Sequence, residues 1–207
     1  MIRPDWPAPA NIIAGTTLVD TPDDALPDGI AMLNQVHGSR VVSIDEARAA
    51  AEPQDADAVT GFAVGHVCAI RTADCLPVLF CARDGSEIAA AHAGWRGLAA
   101  GVLENTVMAL GSRPTELLVW FGPAISQANF EVGDEVREAF IAQDAGAVQC
   151  FAANERGRWQ ADLYALARRR LVAAGVTDIY GGDWCTYADA ARFYSYRRDP
   201  DCGRMVS

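Results

Sequence analysis

The sequence lacks the features of membrane-spanning and secreted proteins. Its 207 residues contain no run of about eighteen uncharged apolar residues, the length that a spanning helix needs. Residues 1–15 hold three prolines and an aspartate instead of an apolar stretch behind a basic start, so they do not resemble a secretory signal. The six cysteines form no Cys-x-x-Cys pair, which is typical of reduced, mostly buried thiols. We therefore expect a cytoplasmic protein without a membrane partner.

Basic residues are also scarce. The 17 Lys and Arg residues are outnumbered by 27 Asp and Glu residues, which gives a formal net charge of −10. Because nucleic-acid binding depends on clustered basic side chains, this balance argues against a nucleic-acid partner. The one dense basic run, residues 168–170, lies in a segment with the pattern of an amphipathic helix. We interpret that run as a solvated helix face.

No internal repeat or long linker divides the chain, so the sequence predicts one compact domain over residues 30–207, preceded by an irregular N-terminal segment, residues 1–29. Apolar runs predict strands at residues 30–33, 41–44, 67–71, 78–81, 88–91, 117–121 and 179–181. Helical spacing predicts a helix after Gly97 that reaches Leu110, and further helices at residues 132–144 and 162–174. This succession predicts an α+β fold of mixed β-sheets layered with helices, with the strand order left open.

Histidine is rare, and two of the three histidines follow apolar runs directly before a glycine-containing loop. These are His37 and His92, and Cys75 holds the matching position after a third apolar run. Side chains at such strand ends can converge at one point. Two imidazoles and one thiolate suit zinc better than magnesium or calcium, and the absence of an obvious fourth ligand is typical of a catalytic site. The pattern therefore favours a zinc site formed by His37, Cys75 and His92.

The spacing of these residues leaves another interpretation open. The three residues are separated by 38 and 17 positions, which no short metal-binding motif requires. Cys75 could therefore be a core cysteine, and His92 a hydrogen-bonded histidine at the end of a strand. The third histidine, His66, is interpreted as a packing residue. Asp74, next to Cys75, could support the ligands, act as a general base, or cap a turn.

Three motifs occur in order along the chain: Asn-Gln-Val-His-Gly at residues 34–38, Thr-Ala-Asp-Cys-Leu-Pro at 72–77, and His-Ala-Gly-Trp-Arg-Gly at 92–97. Together they closely resemble the signature of the YfiH/laccase-domain family, which has also been called polyphenol oxidase and multicopper oxidase-like. Matches at residues 55–58, 122–125 and 193–199 extend the resemblance to the C-terminus. The chain departs from the family pattern at Ala128 and Asn129, where many members have cysteines.

The resemblance implies a fold like that of cysteine hydrolases and zinc bound by the residues that match His37, Cys75 and His92. It also implies phosphorolysis of adenosine, inosine, guanosine and methylthioadenosine, together with deamination of adenosine. The partners would then be a purine nucleoside and phosphate. Under this hypothesis, the candidate catalytic residues are Cys75, Asp74, Arg96 and Arg197, with Arg71 as a further candidate for gripping phosphate.

Three other functions are compatible with the same residues. A cysteine hydrolase or amidase acting on peptidoglycan precursors would use Cys75 as nucleophile and His92 as base. A copper-dependent polyphenol oxidase fits less well, because three histidines cannot supply both a trinuclear cluster and a blue-copper site. An interaction domain with a structural zinc is the fourth possibility, and an open coordination position argues against it.

Overall fold

The computed structural model describes residues 1–22, 25–27 and 29–207. Across these residues the chain forms eleven strands and five α-helices. The strands are β1 (Val41–Ser43), β2 (Ala58–Gly61), β3 (Arg71–Thr72), β4 (Leu76–Ala82), β5 (Ile88–Ala93), β6 (Leu117–Phe121), β7 (Glu131–Val132), β8 (Phe151–Ala153), β9 (Trp159–Ala161), β10 (Asp178–Gly181) and β11 (Met205–Val206). The helices are α1 (Ile44–Ala49), α2 (Trp95–Ala99), α3 (Val102–Ala109), α4 (Asp134–Ile141) and α5 (Leu163–Ala173).

A six-stranded mixed sheet in the order β1-β2-β5-β4-β6-β10 forms the centre of the molecule. The inner strands pair antiparallel, whereas the outer pairs β1–β2 and β6–β10 are parallel. Two small antiparallel sheets, β7-β9-β8 and β11-β3, accompany it. The prediction of a single α+β domain with mixed sheets and helices is thus confirmed, and the structure supplies the strand order.

Both faces of the central sheet are buried, which explains why its strands are continuous apolar runs. Side chains alternate between the two faces along each strand. Val78 and Phe80 of β4 lie on the face that the helices cover, in one apolar cluster with Leu103 of α3. Leu79 points to the opposite face, where it joins a second apolar cluster with Trp120. Segments from the N-terminal part of the chain, including Trp6, pack against this second cluster.

Two of the predicted strands are wrong. Residues 30–33 form no strand, and of residues 67–71 only Arg71 belongs to one. Leu33 and Ile70 are nevertheless buried in the second apolar cluster, so their hydrophobicity reflects packing rather than a regular ladder. Ile70 instead exchanges two backbone hydrogen bonds of 3.0 Å with Ser207. Strand β2 was not predicted, because the strand has only four residues with small side chains and shows no clear alternation of apolar and polar residues.

The helices differ from prediction mainly at their ends. The helix expected after Gly97 is divided into α2 and α3 at Gly101, whose φ of 91° an α-helix cannot contain. The helix expected at 132–144 begins only at Asp134, because Val132 pairs with Trp159 in β7–β9. Helix α5 agrees closely with prediction, and the Asp162 side chain caps it by accepting a hydrogen bond from the backbone N–H of Ala165.

The basic run at the middle of α5 is largely neutralised by acidic neighbours. Arg169 forms two hydrogen bonds with Asp144, and Arg170 pairs with Glu104 at 3.0 Å. Among the described residues, no helix has the length and hydropathy needed to cross a bilayer.

We predict that Leu103→Ala lowers the free energy of unfolding by about 3 kcal/mol, because it leaves a cavity between α3 and the sheet. Urea denaturation measures this change. The matched control is Met108→Ala on the same helix, where the side chain is 73% exposed and the expected change is within about 0.5 kcal/mol. Equal effects of the two substitutions would contradict the assignment of Leu103 to the core.

Candidate metal centre

His37, Cys75 and His92 come together at one edge of the central sheet. Cys75 directly precedes β4, and His92 lies in β5 opposite Pro77. His37 reaches the same point from the loop before β1. The candidate ligand atoms all lie within 4.8 Å of one another, and His37 Nε2 is 3.9 Å from Cys75 Sγ. Tetrahedral zinc with ordinary bond lengths separates such atoms by about 3.4–3.6 Å, so a small inward movement would complete the site.

The backbone adopts strained conformations at one candidate ligand and directly before another. His37 has a φ of 59° and Asp74 a φ of 88°, and these are the two non-glycine residues with positive φ in the described part of the chain. Such conformations cost about 1–3 kcal/mol each and persist where the surroundings enforce them. One of the two is itself a candidate ligand and the other directly precedes Cys75, which makes this sheet edge a candidate functional site.

A carboxylate that the motif analysis did not single out supports both histidines. Asp57 is 0% exposed, and its Oδ1 atom lies 2.8 Å from His92 Nδ1. The same carboxylate accepts hydrogen bonds from the backbone N–H groups of Val36, His37 and Gly38 at 3.3, 2.9 and 2.6 Å. Its sequence signal was the Asp-Ala-Asp-Ala match at residues 55–58, which carries no information about its partners.

Burial and hydrogen bonding shift the pKa values of Asp57, Cys75 and His92 in opposite directions. Burial alone would raise the pKa of Cys75, but hydrogen bonds to His37 and His92 lower it to about 7. Burial would lower the pKa of His92, but Asp57 and Cys75 raise it to about 9. The pKa of Asp57 is below its ordinary value, because the bonds from His92 and the backbone outweigh burial. The cluster thus favours a thiolate, the form in which cysteine binds metals.

Asp74 faces away from the cluster toward the C-terminal segment. Its carboxylate accepts hydrogen bonds from Thr186 Oγ1 at 2.6 Å, Ser195 Oγ at 3.0 Å and the backbone N–H of Arg197 at 2.7 Å. Its own backbone carbonyl accepts from the N–H of Ile125. These contacts hold the loop that carries Cys75 against the rest of the domain.

An open cleft of about 760 Å³ lies above the cluster, within the range of small-molecule sites. His37, Cys75 and His92 line it, together with Arg71, Arg96, Arg204 and Tyr196. No acidic side chain of the described residues lines this cleft, and none forms an ion pair with its three arginines. Arg204 and Tyr196 were not among the predicted site residues, because their position in the C-terminal tail does not indicate which way their side chains point.

Besides Asp74, two further predicted or possible site residues lie outside the cleft. The Arg197 guanidinium lines a separate depression and donates to the backbone carbonyl of Glu131 at 3.2 and 3.3 Å. His66 is also apart from the cluster, with its Nδ1 atom accepting from the backbone N–H of Phe62 and its Nε2 atom 3.4 Å from Asp45.

The mixed-sheet fold and the His/Cys/His cluster at the base of an open cleft define a single-domain protein of the laccase-domain class. The family model described as multi-copper polyphenol oxidoreductase laccase matches residues 12–207. The chain belongs to this family, as the three sequence motifs predicted.

Similar proteins cover nearly the full length of the chain. A Pseudomonas aeruginosa protein described as a purine nucleoside phosphorylase is 47% identical, and the match covers 100% of this chain and 96% of the relative. The Escherichia coli K12 purine nucleoside phosphorylase YfiH is 44% identical over 100% of this chain and 97% of its own. A Neisseria meningitidis crystal structure matches with a TM-score of 0.88 and 42% identity, covering 99% of this chain and 96% of the other. The crystal structure of YlmD from Geobacillus stearothermophilus matches with a TM-score of 0.77 and 29% identity, covering 88% of this chain and 73% of the other.

We predict that Gly94→Ala weakens the binding of Zn²⁺ by roughly tenfold or more, because metal–ligand distances tolerate shifts of only about 0.2 Å. A Cβ atom at this position would lie 2.9 Å from both Cys75 Sγ and His37 Cδ2. Competition with a chromophoric chelator measures the affinity. The control Gly111→Ala meets only the end of the flexible Glu87 side chain and should bind Zn²⁺ like the wild type. Unchanged affinity in Gly94→Ala would contradict the convergence of the ligands at this point.

Proposed function

We propose that this protein is a zinc-dependent purine nucleoside phosphorylase that accepts adenosine, inosine, guanosine and methylthioadenosine and also deaminates adenosine. The observation that carries the proposal is the His/Cys/His cluster at the base of a cleft lined by arginines. Support comes from two relatives with this activity in their descriptions, which match the whole chain at 47% and 44% identity.

The donor set of the cluster suits zinc. Two imidazole nitrogens and a thiolate are its usual ligands, and a set of three protein ligands leaves one position for water or substrate. His37, Cys75 and His92 would hold the ion, and His92 receives the support from a buried carboxylate that metal-bound histidines commonly have. When bound there, zinc would act as a Lewis acid, which polarises an oxygen atom of the substrate and lowers the pKa of bound water.

The three cleft arginines would hold phosphate. Arg71, Arg96 and Arg204 present guanidinium groups without an acidic partner among the described residues, and a guanidinium binds phosphate through two parallel hydrogen bonds. In phosphorolysis, a phosphate oxygen forms a bond to C1′ of the ribose as the bond from C1′ to the purine nitrogen breaks. The purine leaves with the electron pair and takes up a proton. The half-exposed ring of Tyr196 offers a surface for stacking the base.

Asp74 and Arg197 act through the loops they hold. The Asp74 carboxylate accepts hydrogen bonds from the backbone N–H of Arg197 and from two hydroxyl groups, so three of its roughly four accepting positions are occupied by the fold. We therefore assign Asp74 as a positioning residue for the Cys75 loop. Arg197 fixes the C-terminal segment that carries Tyr196 and Arg204 into the cleft.

The deamination of adenosine would use the same cleft. Water adds to C6 of the adenine ring, and the amino group leaves as ammonia, so the product is inosine. This reaction needs a nucleophilic water, and a metal ion held by His37, Cys75 and His92 would lower the pKa of such a water toward neutrality. It does not need phosphate, so the two activities can be separated by leaving phosphate out.

A cysteine hydrolase remains the second candidate, and one observation favours it. The Asp57 carboxylate is hydrogen-bonded to the His92 imidazole, and Cys75 Sγ lies within 4.8 Å of that imidazole, so the cluster contains the three groups that activate a nucleophilic cysteine. Metal content separates the two proposals, because a thiolate bound to zinc is a ligand rather than an attacking group. Copper-dependent phenol oxidation has less support, since the chain contains three histidines in all.

We predict one zinc ion per chain in protein purified without added metal, and release of adenine from adenosine that depends on phosphate. Cys75→Ala should lower both the zinc content and the rate of release by more than about 100-fold. The control is Cys68→Ala, which removes a thiol outside the cluster and should leave both unchanged. Metal-free wild-type protein that cleaves amide substrates through Cys75 would favour the hydrolase instead.

We predict that Arg96→Ala raises the KM for phosphate by about 10- to 100-fold, because a hydrogen bond to a charged group contributes about 1.5–3 kcal/mol. Steady-state kinetics at varied phosphate and saturating adenosine measure this. Arg197→Ala should change the phosphate KM by less than about threefold, since its guanidinium lies outside the cleft. An increase in Arg197→Ala equal to that in Arg96→Ala would place Arg197 in the phosphate site.

A further inference from the structure

We propose that Asp57 is a positioning residue that sets both histidine ligands of the metal centre at once. This inference rests on the proposed metal centre and goes beyond it, because it assigns the control of ligand geometry to a residue that does not itself touch the metal. The two histidines lie 55 residues apart in the sequence, and the carboxylate of Asp57 contacts the segments of both.

The carboxylate of Asp57 accepts four hydrogen bonds. Oδ1 accepts from the backbone N–H of His37 and from Nδ1–H of His92, and Oδ2 accepts from the N–H groups of Val36 and Gly38. An ionised carboxylate has about four accepting positions, so this one is filled. Asparagine could not replace it, because its NH₂ group would have to face at least one of these donors.

The loop that carries His37 wraps around this carboxylate with three successive backbone N–H groups. A turn through the left-handed conformation lets successive backbone N–H groups converge on one anion, and His37 has such a conformation, with a φ of 59°. The Asp57 carboxylate thus provides the negative charge that makes this conformation favourable. Helix α2 closes against the same loop, where a Cβ on Gly97 would lie 2.7 Å from the carbonyl oxygen of Gly38.

The same carboxylate sets the tautomer of His92. A carboxylate can only accept a hydrogen bond, so Nδ1 of His92 carries the proton and Nε2 is left to bind a metal. The backbone fixes the distance between the two residues, because the N–H of His92 donates to the carbonyl oxygen of Asp57 at 2.7 Å. Asp57 immediately precedes β2, which pairs with β5, the strand of His92. The pair is therefore held by the central sheet.

Both members of the Asp57–His92 pair are buried. The Asp57 side chain is 0% exposed and that of His92 is 4% exposed, so bulk water cannot replace the carboxylate if it is removed. A buried N–H group that has lost its hydrogen-bond acceptor destabilises the folded protein, so the segment that carries it moves toward another acceptor. Loss of the carboxylate should therefore displace the His37 loop and free the His92 ring together.

The test compares Asp57→Asn with Asp55→Asn, a change of the same kind at an exposed aspartate two residues earlier. Zn²⁺ affinity is measured on folded protein by chelator competition, and the ligand geometry by the visible absorption of the Co²⁺-loaded protein. We expect Asp57→Asn to bind Zn²⁺ about 10- to 100-fold more weakly and to shift the cobalt bands, with Asp55→Asn like the wild type. A residue needed only for folding would lower thermal stability without changing the affinity or the cobalt spectrum of the folded protein.

Unchanged zinc affinity and cobalt bands in Asp57→Asn would overturn the inference and leave the proposed function standing. Wild-type protein that binds no zinc would overturn both. If Asp57→Asn does not fold, the Co²⁺-loaded wild type decides by proton NMR. The paramagnetically shifted Nδ1–H signal of His92 should exchange with solvent much more slowly than that of exposed His37, and equally fast exchange would refute the bond to Asp57.

Discussion

The antiparallel pairing of β4 with β5 is the interaction on which the rest of the molecule depends. Its register places Leu76 opposite Ala93 and Pro77 opposite His92, which brings Cys75 and His92 to the same edge of the sheet. The two strands are also the centre of a sheet that is apolar on both faces. A slip of one residue would turn core side chains to the wrong face and separate the two ligands. Stability and site geometry therefore depend on the same ladder of hydrogen bonds.

Two buried carboxylates compensate the strain that this arrangement places on its loops. The positive φ of His37 is stabilised by Asp57, and the positive φ of Asp74 by that residue's own bonds to Thr186 and Ser195. Each carboxylate connects segments that are distant in the sequence. Two of the three candidate ligand loops are thus held by charge-assisted hydrogen bonds in a dry environment, where such bonds are strongest.

The sequence predicted those parts of the molecule that depend on local pattern. Strand β6 and the capped helix α5 follow from apolar periodicity and from Asp162, and the three candidate ligands follow from their residue types beside strand ends. It did not predict β2 or the role of Asp57, because a four-residue strand has no clear period and a carboxylate's partners are set by the fold. The same reason separates Arg197 from Arg204: both lie in the matching tail, but only the fold decides which one faces the cleft.

The charge of the molecule opposes the charge of its cleft. The chain carries a net charge of −10, yet the cleft has three arginines and no acidic lining residue among those described. At physiological ionic strength, charges farther away than about 8 Å are largely screened. The acidic surface therefore has little effect on an anion once it is bound, whereas the arginines act at contact distance. All 17 basic residues are arginines, whose planar guanidinium groups suit this contact better than lysine. Under the proposed function, an acidic protein can therefore bind phosphate, because guanidinium groups recognise it through short-range, bidentate contacts.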